Sequence, residues 1–159
     1  MHWVDVTTAK PRIEVGWREW VALPELGIRA IEAKVDTGAR SSALRVFRLE
    51  TYRTEGRPMA RFSVYPHRQS TADARRCEAR ITGHRIVSDS SGDRERRWVV
   101  RTRVRLGLRS WPINVTLSRR GGTTFRMLLG RSAMRRRLVV VPDRSYVLGR
   151  PRRIRGERA

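Results

Sequence analysis

Residues 28–39 read IRAIEAKVDTGA, an alternating segment that runs directly into Asp36-Thr37-Gly38-Ala39. From Ile28 to Val35 the side chains alternate with the period of two that is typical of a β-strand. An aspartate directly after an apolar strand costs free energy unless it is paired or used, and Gly38 allows a tight turn without a side chain. The segment therefore predicts either a rigid loop that presents Asp36 at the floor of a cleft or an ordinary Asp-x-Gly turn that closes a strand.

The rest of the chain also has the pattern of a mainly β protein. Short runs of branched and aromatic residues are separated by turn-forming or polar stretches such as Pro24-Glu25-Leu26-Gly27 and residues 66–76. Strands are predicted over residues 13–23, 28–35, 60–65, 80–88, 97–106, 111–117, 125–129 and 138–141, with an extension over 146–148. Many short strands predict an all-β fold, a small closed barrel or sandwich, with one short helix.

Two of these segments have distinctive features. Ser90-Ser91-Gly92-Asp93 predicts a hairpin tip, and in its second arm the alternation of apolar residues with Arg101, Arg103 and Arg105 predicts one buried and one strongly basic face. Near the carboxyl terminus, Met127-Leu128-Leu129-Gly130-Arg131 is an apolar strand that ends in Gly-Arg. A short helix is predicted to follow over residues 132–137, capped by Ser132.

The composition indicates one folded domain. The chain has 159 residues, of which 39% are hydrophobic. We assign residues 1–11 to an N-terminal extension, 12–149 to the domain and 150–159 to a loose basic tail. The lone Cys77 excludes an internal disulfide, which agrees with a reducing cytoplasm. No apolar run is long enough to span a membrane, and the N-terminus lacks the apolar stretch of a secretory signal, so we expect a cytoplasmic protein.

The formal net charge of +21 is the unusual feature of the composition. Lysine and arginine total 36 residues against 15 acids, and only Lys10 and Lys34 are lysines. Such a charge attracts polyanions such as nucleic acid, anionic lipid or acidic peptide. The planar fork of arginine suits carboxylate and phosphate better than lysine does. A solvated basic surface with no specific partner explains the charge equally well.

The order of these segments resembles that of the retropepsins. Those proteins have an apolar strand, Asp-Thr/Ser-Gly-Ala, a flap hairpin, and then two apolar residues, Gly and Arg before a helix. Residues 13–137 follow this plan. The segments 15–21, 34–44, 90–92 and 127–131 are similar to a bacterial and archaeal family of retropepsin-like proteins. Members of that family often carry a label that names an ATP-dependent zinc protease, and some occur beside ATP-grasp glutamate ligases.

The resemblance implies a retropepsin-like barrel with one lobe per chain and the chemistry of an aspartic peptidase. That chemistry needs two aspartates that share one proton, because like charges so close cannot both ionise. The chain has a single Asp-Thr-Gly, so we expect a homodimer in which both copies of Asp36 form the catalytic dyad. Loop support is expected from Thr37, Gly38, Ala39, Leu129, Gly130 and Arg131. Substrate contacts are expected from Arg40, Ser41, Arg45, Arg85, Ser90, Ser91, Gly92 and Arg96.

The zinc and the ATP named in that label have no matching motif in this sequence. Only His2, His67, His84 and Cys77 offer nitrogen or sulfur ligands, and no His-Glu-x-x-His or paired-cysteine spacing exists. The sequence also has no phosphate-binding Gly-x-x-x-x-Gly-Lys loop. We therefore expect no metal site and no cofactor.

The sequence departs from viral retropepsins just after the Asp-Thr-Gly-Ala motif. Viral enzymes carry a second aspartate there, paired with the Arg of the Gly-Arg motif, whereas this chain has Arg40. A cleft bearing Arg40, Arg45, Arg85 and Arg96 predicts a preference for acidic peptides, with glutamate-rich tails as the sharpest hypothesis. The alternative is that these arginines are solvated surface. Two other functions stay open: a catalytically silent module that binds nucleic acid or the ribosome non-specifically, and a regulatory dimer that senses acidic peptides without cutting them.

Overall fold

The computed structural model describes residues 10–68, 70–88, 91–120 and 125–151. Within these residues the chain is mainly β, as predicted, with one short helix, α1, over Arg131–Met134 and a 3-10 turn over Pro24–Leu26. The strands are β1 (Ile13–Val15), β2 (Arg18–Leu23), β3 (Ile28–Val35), β4 (Ser42–Arg45), β5 (Phe47–Thr54), β6 (Arg57–Val64), β7 (Arg75–Ser88), β8 (Arg94–Leu106), β9 (Arg109–Ser118), β10 (Met127–Leu129) and β11 (Leu138–Val140). No helix of the described ranges is long and apolar enough to cross a bilayer.

Six strands close into a ring in the order β2-β3-β10-β4-β9-β8. The ring closes where β8 returns to β2 through the pair Ala22 and Arg105. β7 continues outward from β8 and is followed by β6 and β5, while β1 and β11 form a separate parallel pair. Apolar faces of the ring fill one core, in which Leu23, Ile31 and Leu129 are completely buried. Burial of these side chains, worth about 1.5–3 kcal/mol each, stabilises the closed barrel.

β3 has the bounds that the sequence predicts, and its alternation is confirmed. Ile31, Ala33 and Val35 are buried, whereas the residues between them are partly exposed. β10 runs parallel to β3, with Leu129 opposite Val35, and β4 runs antiparallel along the other side of β10. The carboxyl ends of β3 and β10 therefore lie side by side at one end of the barrel.

The single strand predicted over residues 13–23 is wrong, because the chain bends at Gly16 and Trp17 and forms β1 and β2 instead. The N–H of Trp17 donates to the carbonyl of Arg144 at 2.9 Å, and its carbonyl accepts the N–H of Val35 at 2.8 Å. These bonds link the bend to the end of β3 and to the C-terminal segment, and they take the backbone out of one continuous strand.

A buried carboxylate holds the C-terminal segment against the same bend. Glu19 is completely buried and accepts the N–H groups of Gly16 at 2.7 Å, Val147 at 2.9 Å and Leu148 at 3.1 Å. The predicted strand extension over 146–148 is therefore wrong, since two of its three N–H groups bond to a side chain rather than to a strand. A buried carboxylate is tolerated at this position because several backbone donors satisfy it.

Other differences from the prediction have local causes. The strands β4 and β5 were not predicted, because β4 has only four residues and β5 has no buried residue. α1 begins at Arg131, with Gly130 rather than Ser132 at its N-cap position and no side-chain cap bond. Arg105 is buried rather than part of an exposed basic face, because the closure of the ring against Ala22 covers it. The extension 1–11 and the tail 150–159 lie outside the described residues except for residues 10, 11, 150 and 151.

Candidate active site

Asp36 lies at the carboxyl end of β3, where backbone hydrogen bonds tie its loop to β10. Its N–H donates to the carbonyl of Leu129 at 2.9 Å, and its carbonyl accepts the N–H of Ala39 at 3.2 Å. The carboxylate Oδ1 accepts the N–H of Gly38 at 2.9 Å. Asp36 is half-buried, whereas Thr37 and Gly38 are exposed. The backbone bond to Leu129 therefore fixes the loop on the barrel, and the N–H of the exposed Gly38 holds the carboxylate at the outer edge of the loop.

Gly130 packs directly on the backbone that follows this loop. A Cβ at Gly130 would lie 2.5 Å from the carbonyl carbon and oxygen of Ser41, so only glycine permits the approach. The N–H of Gly130 donates to the Oγ of Ser42 at 3.1 Å, and the N–H of Arg131 donates to the carbonyl of Ala39 at 2.8 Å. Two motifs that are remote in sequence thus form one contiguous structure.

Arg131 braces the loop through a carbonyl instead of a carboxylate. Its Nη1 donates to the carbonyl of Thr37 at 3.0 Å. Arg40, at the position where viral retropepsins have an aspartate, is exposed, and its carbonyl accepts the N–H of Ser132 at 3.0 Å. The loop is therefore held without a second acid, and two arginine side chains lie at its edges.

The hairpin of β7 and β8 reaches the loop through Arg85. The guanidinium of Arg85 donates from Nη1 to the Oγ of Ser41. Arg85 pairs directly with Arg97 across the two strands, and both are half-buried. Because paired residues share one face of an antiparallel sheet, this face of the hairpin is the one directed at the Asp36 loop.

Unlike Arg85, which bonds to Ser41, the predicted substrate contacts Arg96, Arg45, Ser91 and Gly92 lie on the opposite face of the hairpin, at the end of β4 and at the hairpin tip. Arg96 pairs with Ile86 on the opposite face of the hairpin, where its guanidinium lies 5.3 Å from the ring centre of Trp98. Arg45 is half-buried at the end of β4 that is farther from the loop, and its N–H donates to the carbonyl of Arg126 at 2.8 Å. At the tip, Ser91 and Gly92 are exposed, and the predicted contact Ser90 lies outside the described residues. Among the predicted contacts, Arg85 and Ser41 are hydrogen-bonded to each other.

Glu95 and Arg97 were missed by the sequence reasoning, although an acid inside Arg94-Glu95-Arg96-Arg97 is a visible signal. The Oε2 of Glu95 accepts the Nε of Arg97 at 3.0 Å and the hydroxyl of Ser118 at 3.2 Å, and Oε1 accepts the N–H of Arg119 at 3.1 Å. Burial, the largest single influence, raises the pKa of Glu95, but these hydrogen bonds together outweigh it and hold the pKa below its usual value. Glu95 thus fastens the hairpin to the end of β9.

The described nitrogen and sulfur ligands, His67, His84 and Cys77, do not converge. His67 lies 3.1 Å from Asp73 on an exposed loop, and His84 packs edge-on against Trp98. Cys77 is buried, and desolvation raises the pKa of its thiol to about 12, which makes it a poor thiolate ligand. Over the described ranges no three His, Cys, Asp or Glu side chains form a group that could hold a metal ion.

The arrangement offers one carboxylate per chain at an open loop. In the described part of the chain, the only hydrogen bond to the Asp36 carboxylate comes from the N–H of Gly38. A lone carboxylate can act as a general base, whereas acid and base together require a second acid. Thr37 and Gly38 form the exposed edge of this loop.

Comparison with known proteins gives a family match over most of the chain. The model of the RimB-like family, described as retropepsin-like aspartic endopeptidase RimB, matches residues 14–151. A protein of Legionella pneumophila of unknown function has a similar solved structure, with a TM-score of 0.72 and 24% identity, over 87% of this chain and 99% of that one. This likeness shows that the two proteins share a fold.

Curated relatives are longer proteins. A "Probable alpha-L-glutamate ligase" of Desulfotalea psychrophila is 41% identical over 135 residues, which cover 85% of this chain and 29% of that protein. Proteins of the same name from Shewanella pealeana and Parasynechococcus marenigrum are 37% and 40% identical, and each is matched over 30% of its own length. The chain therefore spans less than a third of these relatives.

Proposed function

This chain belongs to the RimB-like family of retropepsin-like aspartic endopeptidases, and on that premise we propose that it hydrolyses peptide bonds in acidic peptides or protein tails. The observation that carries the proposal is the fixed loop at the end of β3, which holds Asp36 by backbone bonds and leaves its outer edge open. Asp36 of each of two protomers supplies one half of the catalytic dyad.

The chemistry follows from one proton shared by two carboxylates. The ionised carboxylate removes a proton from a water molecule, which attacks the carbonyl carbon of the scissile bond. The protonated carboxyl gives its proton to the carbonyl oxygen, so the tetrahedral intermediate forms without an isolated charge. One carboxyl then protonates the leaving nitrogen while the other carboxylate removes a proton from a hydroxyl of the intermediate. The C–N bond breaks, a carboxylic acid and an amine are released, and the pair is again singly protonated.

A twofold dimer is required because one chain supplies one catalytic loop. In a twofold assembly each loop meets its own copy across the axis, and the exposed Thr37 and Gly38 are the residues beside Asp36 that are free to form this contact. The loop donates from the N–H of Asp36 to the carbonyl of Leu129 and accepts bonds from the N–H and guanidinium of Arg131, and these bonds hold its shape before the partner arrives.

The preference for acidic substrates rests on charge. The net charge of +21 attracts acidic chains, and Arg40, Arg85 and Arg131 lie at or against the catalytic loop. The curated relatives carry the name of a glutamate ligase, an enzyme that joins glutamate. A glutamate-rich tail is a substrate that guanidinium groups can recognise through paired hydrogen bonds.

The decisive experiment compares the natural chain with Asp36→Asn on poly-α-glutamate and on a neutral peptide, with products identified by mass spectrometry. Cleavage of the acidic substrate is expected for the natural chain alone. The amide oxygen introduced by Asp36→Asn can still accept the N–H of Gly38, so the variant should stay folded, which a melting curve checks. Cleavage that survives this substitution overturns the proposal.

Mixing the two proteins tests the shared dyad. When protomers exchange freely, an equimolar mixture contains about one quarter natural dimers, so the activity should fall to about a quarter of that of the same total amount of natural protein. Sites that act within one chain would leave about half. Size-exclusion chromatography with light scattering measures the dimer directly, and a strict monomer contradicts the proposal.

The charge also supports a second candidate, a silent nucleic-acid-binding module. Arginines lie over aromatic rings beside β2. Arg18 lies 4.6 Å from the Trp17 ring and 4.7 Å from the Tyr146 ring, and Arg150 lies 4.3 Å from the Trp20 ring. These arginines already cover ring faces that bases need for stacking, which favours the peptidase. Binding to RNA or DNA that falls steeply with salt, without any cleavage, would favour the module.

A further inference from the structure

The inner face of the β7–β8 hairpin carries two arginines side by side. Arg85 and Arg97 are directly opposite in the antiparallel pair, and both are half-buried, whereas Arg94 and Arg96 are exposed. Like charges directly opposite each other destabilise a sheet. The hairpin therefore keeps a positively charged position close to the catalytic loop at a cost in stability.

The two arginines have different partners. Arg97 binds the carboxylate of Glu95, and their side chains are only 15% and 14% exposed. Arg85 binds the neutral hydroxyl of Ser41, and within the described ranges it forms no ion pair. Within the described ranges Glu95 is thus paired with Arg97 alone of these two arginines, which leaves the charge of Arg85 for a second carboxylate to neutralise.

Glu95 also demonstrates how a carboxylate is held at this position. Its two oxygens accept the Nε of Arg97, the hydroxyl of Ser118 and the N–H of Arg119. The Nε of Arg120 lies 3.9 Å away. Donors on three sides make a well-formed carboxylate site, and it is filled by a residue of the hairpin itself.

We infer that Arg85 and Arg97 form the subsite that receives an acidic side chain of the substrate, and that Glu95 occupies Arg97 in the free protein as an intramolecular competitor. The inference rests on the proposed function and names the residues that would select its substrate. An incoming glutamate displaces the Ser41 hydroxyl from Arg85 and shares or replaces Glu95 at Arg97. A glutamine side chain cannot neutralise the pair, so it does not compete.

The register of the hairpin supplies a matched control. Arg96 is adjacent to Arg97 and carries the same charge, but it points to the opposite face, over Trp98. Arg96→Gln and Arg97→Gln therefore change the net charge equally and differ only in the face that loses it. A general electrostatic attraction predicts that both substitutions weaken the binding of an acidic peptide equally, whereas a subsite on the inner face predicts a larger effect of Arg97→Gln.

Binding is measured in the Asp36→Asn background, so that no peptide is cut, by fluorescence anisotropy with labelled hexaglutamate and hexaglutamine. Arg97→Gln and Arg85→Gln are each expected to weaken hexaglutamate binding roughly 10- to 100-fold, the range of a charge-assisted hydrogen bond. Arg96→Gln is expected to weaken it less than about threefold, as for an exposed charge. Hexaglutamine binding should not respond to any of the three.

Glu95→Gln tests the competitor. Removal of its charge frees Arg97, so hexaglutamate binding is expected to tighten about 3- to 10-fold. Arg97→Lys, which keeps the charge and loses the fork, should lie between the natural chain and Arg97→Gln. Melting curves identify any variant that fails to fold, in which case Arg85→Gln carries the test.

If Arg96→Gln and Arg97→Gln weaken hexaglutamate binding equally, the subsite hypothesis is wrong. If Glu95→Gln leaves hexaglutamate binding unchanged or weakens it, Glu95 is not a competitor. Neither result tests the proposed function, which depends on cleavage by the natural chain and on the loss of that cleavage in Asp36→Asn. If that cleavage is absent while the binding differences appear, the carboxylate subsite remains and the peptidase does not.

Discussion

Replacement of Gly130 by alanine should separate the two backbone segments that hold the Asp36 loop. The added Cβ would lie 2.5 Å from the carbonyl carbon and oxygen of Ser41 and 2.9 Å from the N of Ser42. The segments must therefore move apart by about 0.9 Å to reach an ordinary contact of 3.4 Å. Gly130 has φ −97° and ψ 174°, which any residue adopts, so the effect is steric and not a change in backbone preference.

The magnitude has two parts. Overpacking of this kind costs about 1–3 kcal/mol, and a weakened buried bond from the N–H of Gly130 to Ser42 adds about 1 kcal/mol. A total of about 2–4 kcal/mol should lower the melting temperature by roughly 4–16 °C for a chain of this length. Because the contact supports the Asp36 loop, a displacement near 1 Å should also reduce kcat/KM for the acidic substrate about 100-fold.

The assay pairs Gly130→Ala with Gly83→Ala as a stability control. A Cβ at Gly83 meets nothing within 4 Å, so that alanine should be neutral or stabilise the chain by up to about 1 kcal/mol. Circular dichroism gives both melting curves, and peptide cleavage gives the rate for Gly130→Ala. The reasoning is refuted if Gly130→Ala melts within about 1 °C of the natural chain and cuts at the natural rate.

Two further predictions concern buried carboxylates. Glu19→Gln keeps one acceptor oxygen but turns an N–H donor toward a backbone N–H, so the free energy of unfolding measured in urea should fall by about 1–3 kcal/mol. The control Glu14→Gln changes an exposed carboxylate and should alter the free energy of unfolding by less than about 1 kcal/mol. Equal effects of the two substitutions would contradict the assignment of Glu19 as an anchor. For Glu95, the folded state has the lower pKa, so its stabilisation is complete above the usual value near 4.5 and is lost as pH falls below it. The difference in unfolding free energy between the natural chain and Glu95→Gln, measured from pH 7 to pH 3, should narrow toward acid, and a constant difference would show that Glu95 does not titrate in this way.

Local sequence was sufficient for the central strand and its loop. The alternation from Ile28 to Val35 needs only neighbouring residues, and Gly38 after Asp36 allows the turn without help from elsewhere. The family resemblance in the same segments, together with Met127–Arg131, was enough to assign a retropepsin-like fold, and the family match over residues 14–151 confirms it. The bend at Gly16 was not visible, because its cause is a backbone bond to Arg144 far along the chain.

The sequence by itself determined which residues could act, since an acid that ends an apolar strand and arginines in an alternating hairpin are local features. Only the tertiary structure decided which of them meet. Arg131 reaches the carbonyl of Thr37 across 94 positions of sequence, and the register of β7 on β8 places Arg97, not Arg96, on the face with Arg85. A shift of one residue in that register would exchange the two faces, because side chains alternate along a strand, and register is set by pairing between strands rather than by either strand alone.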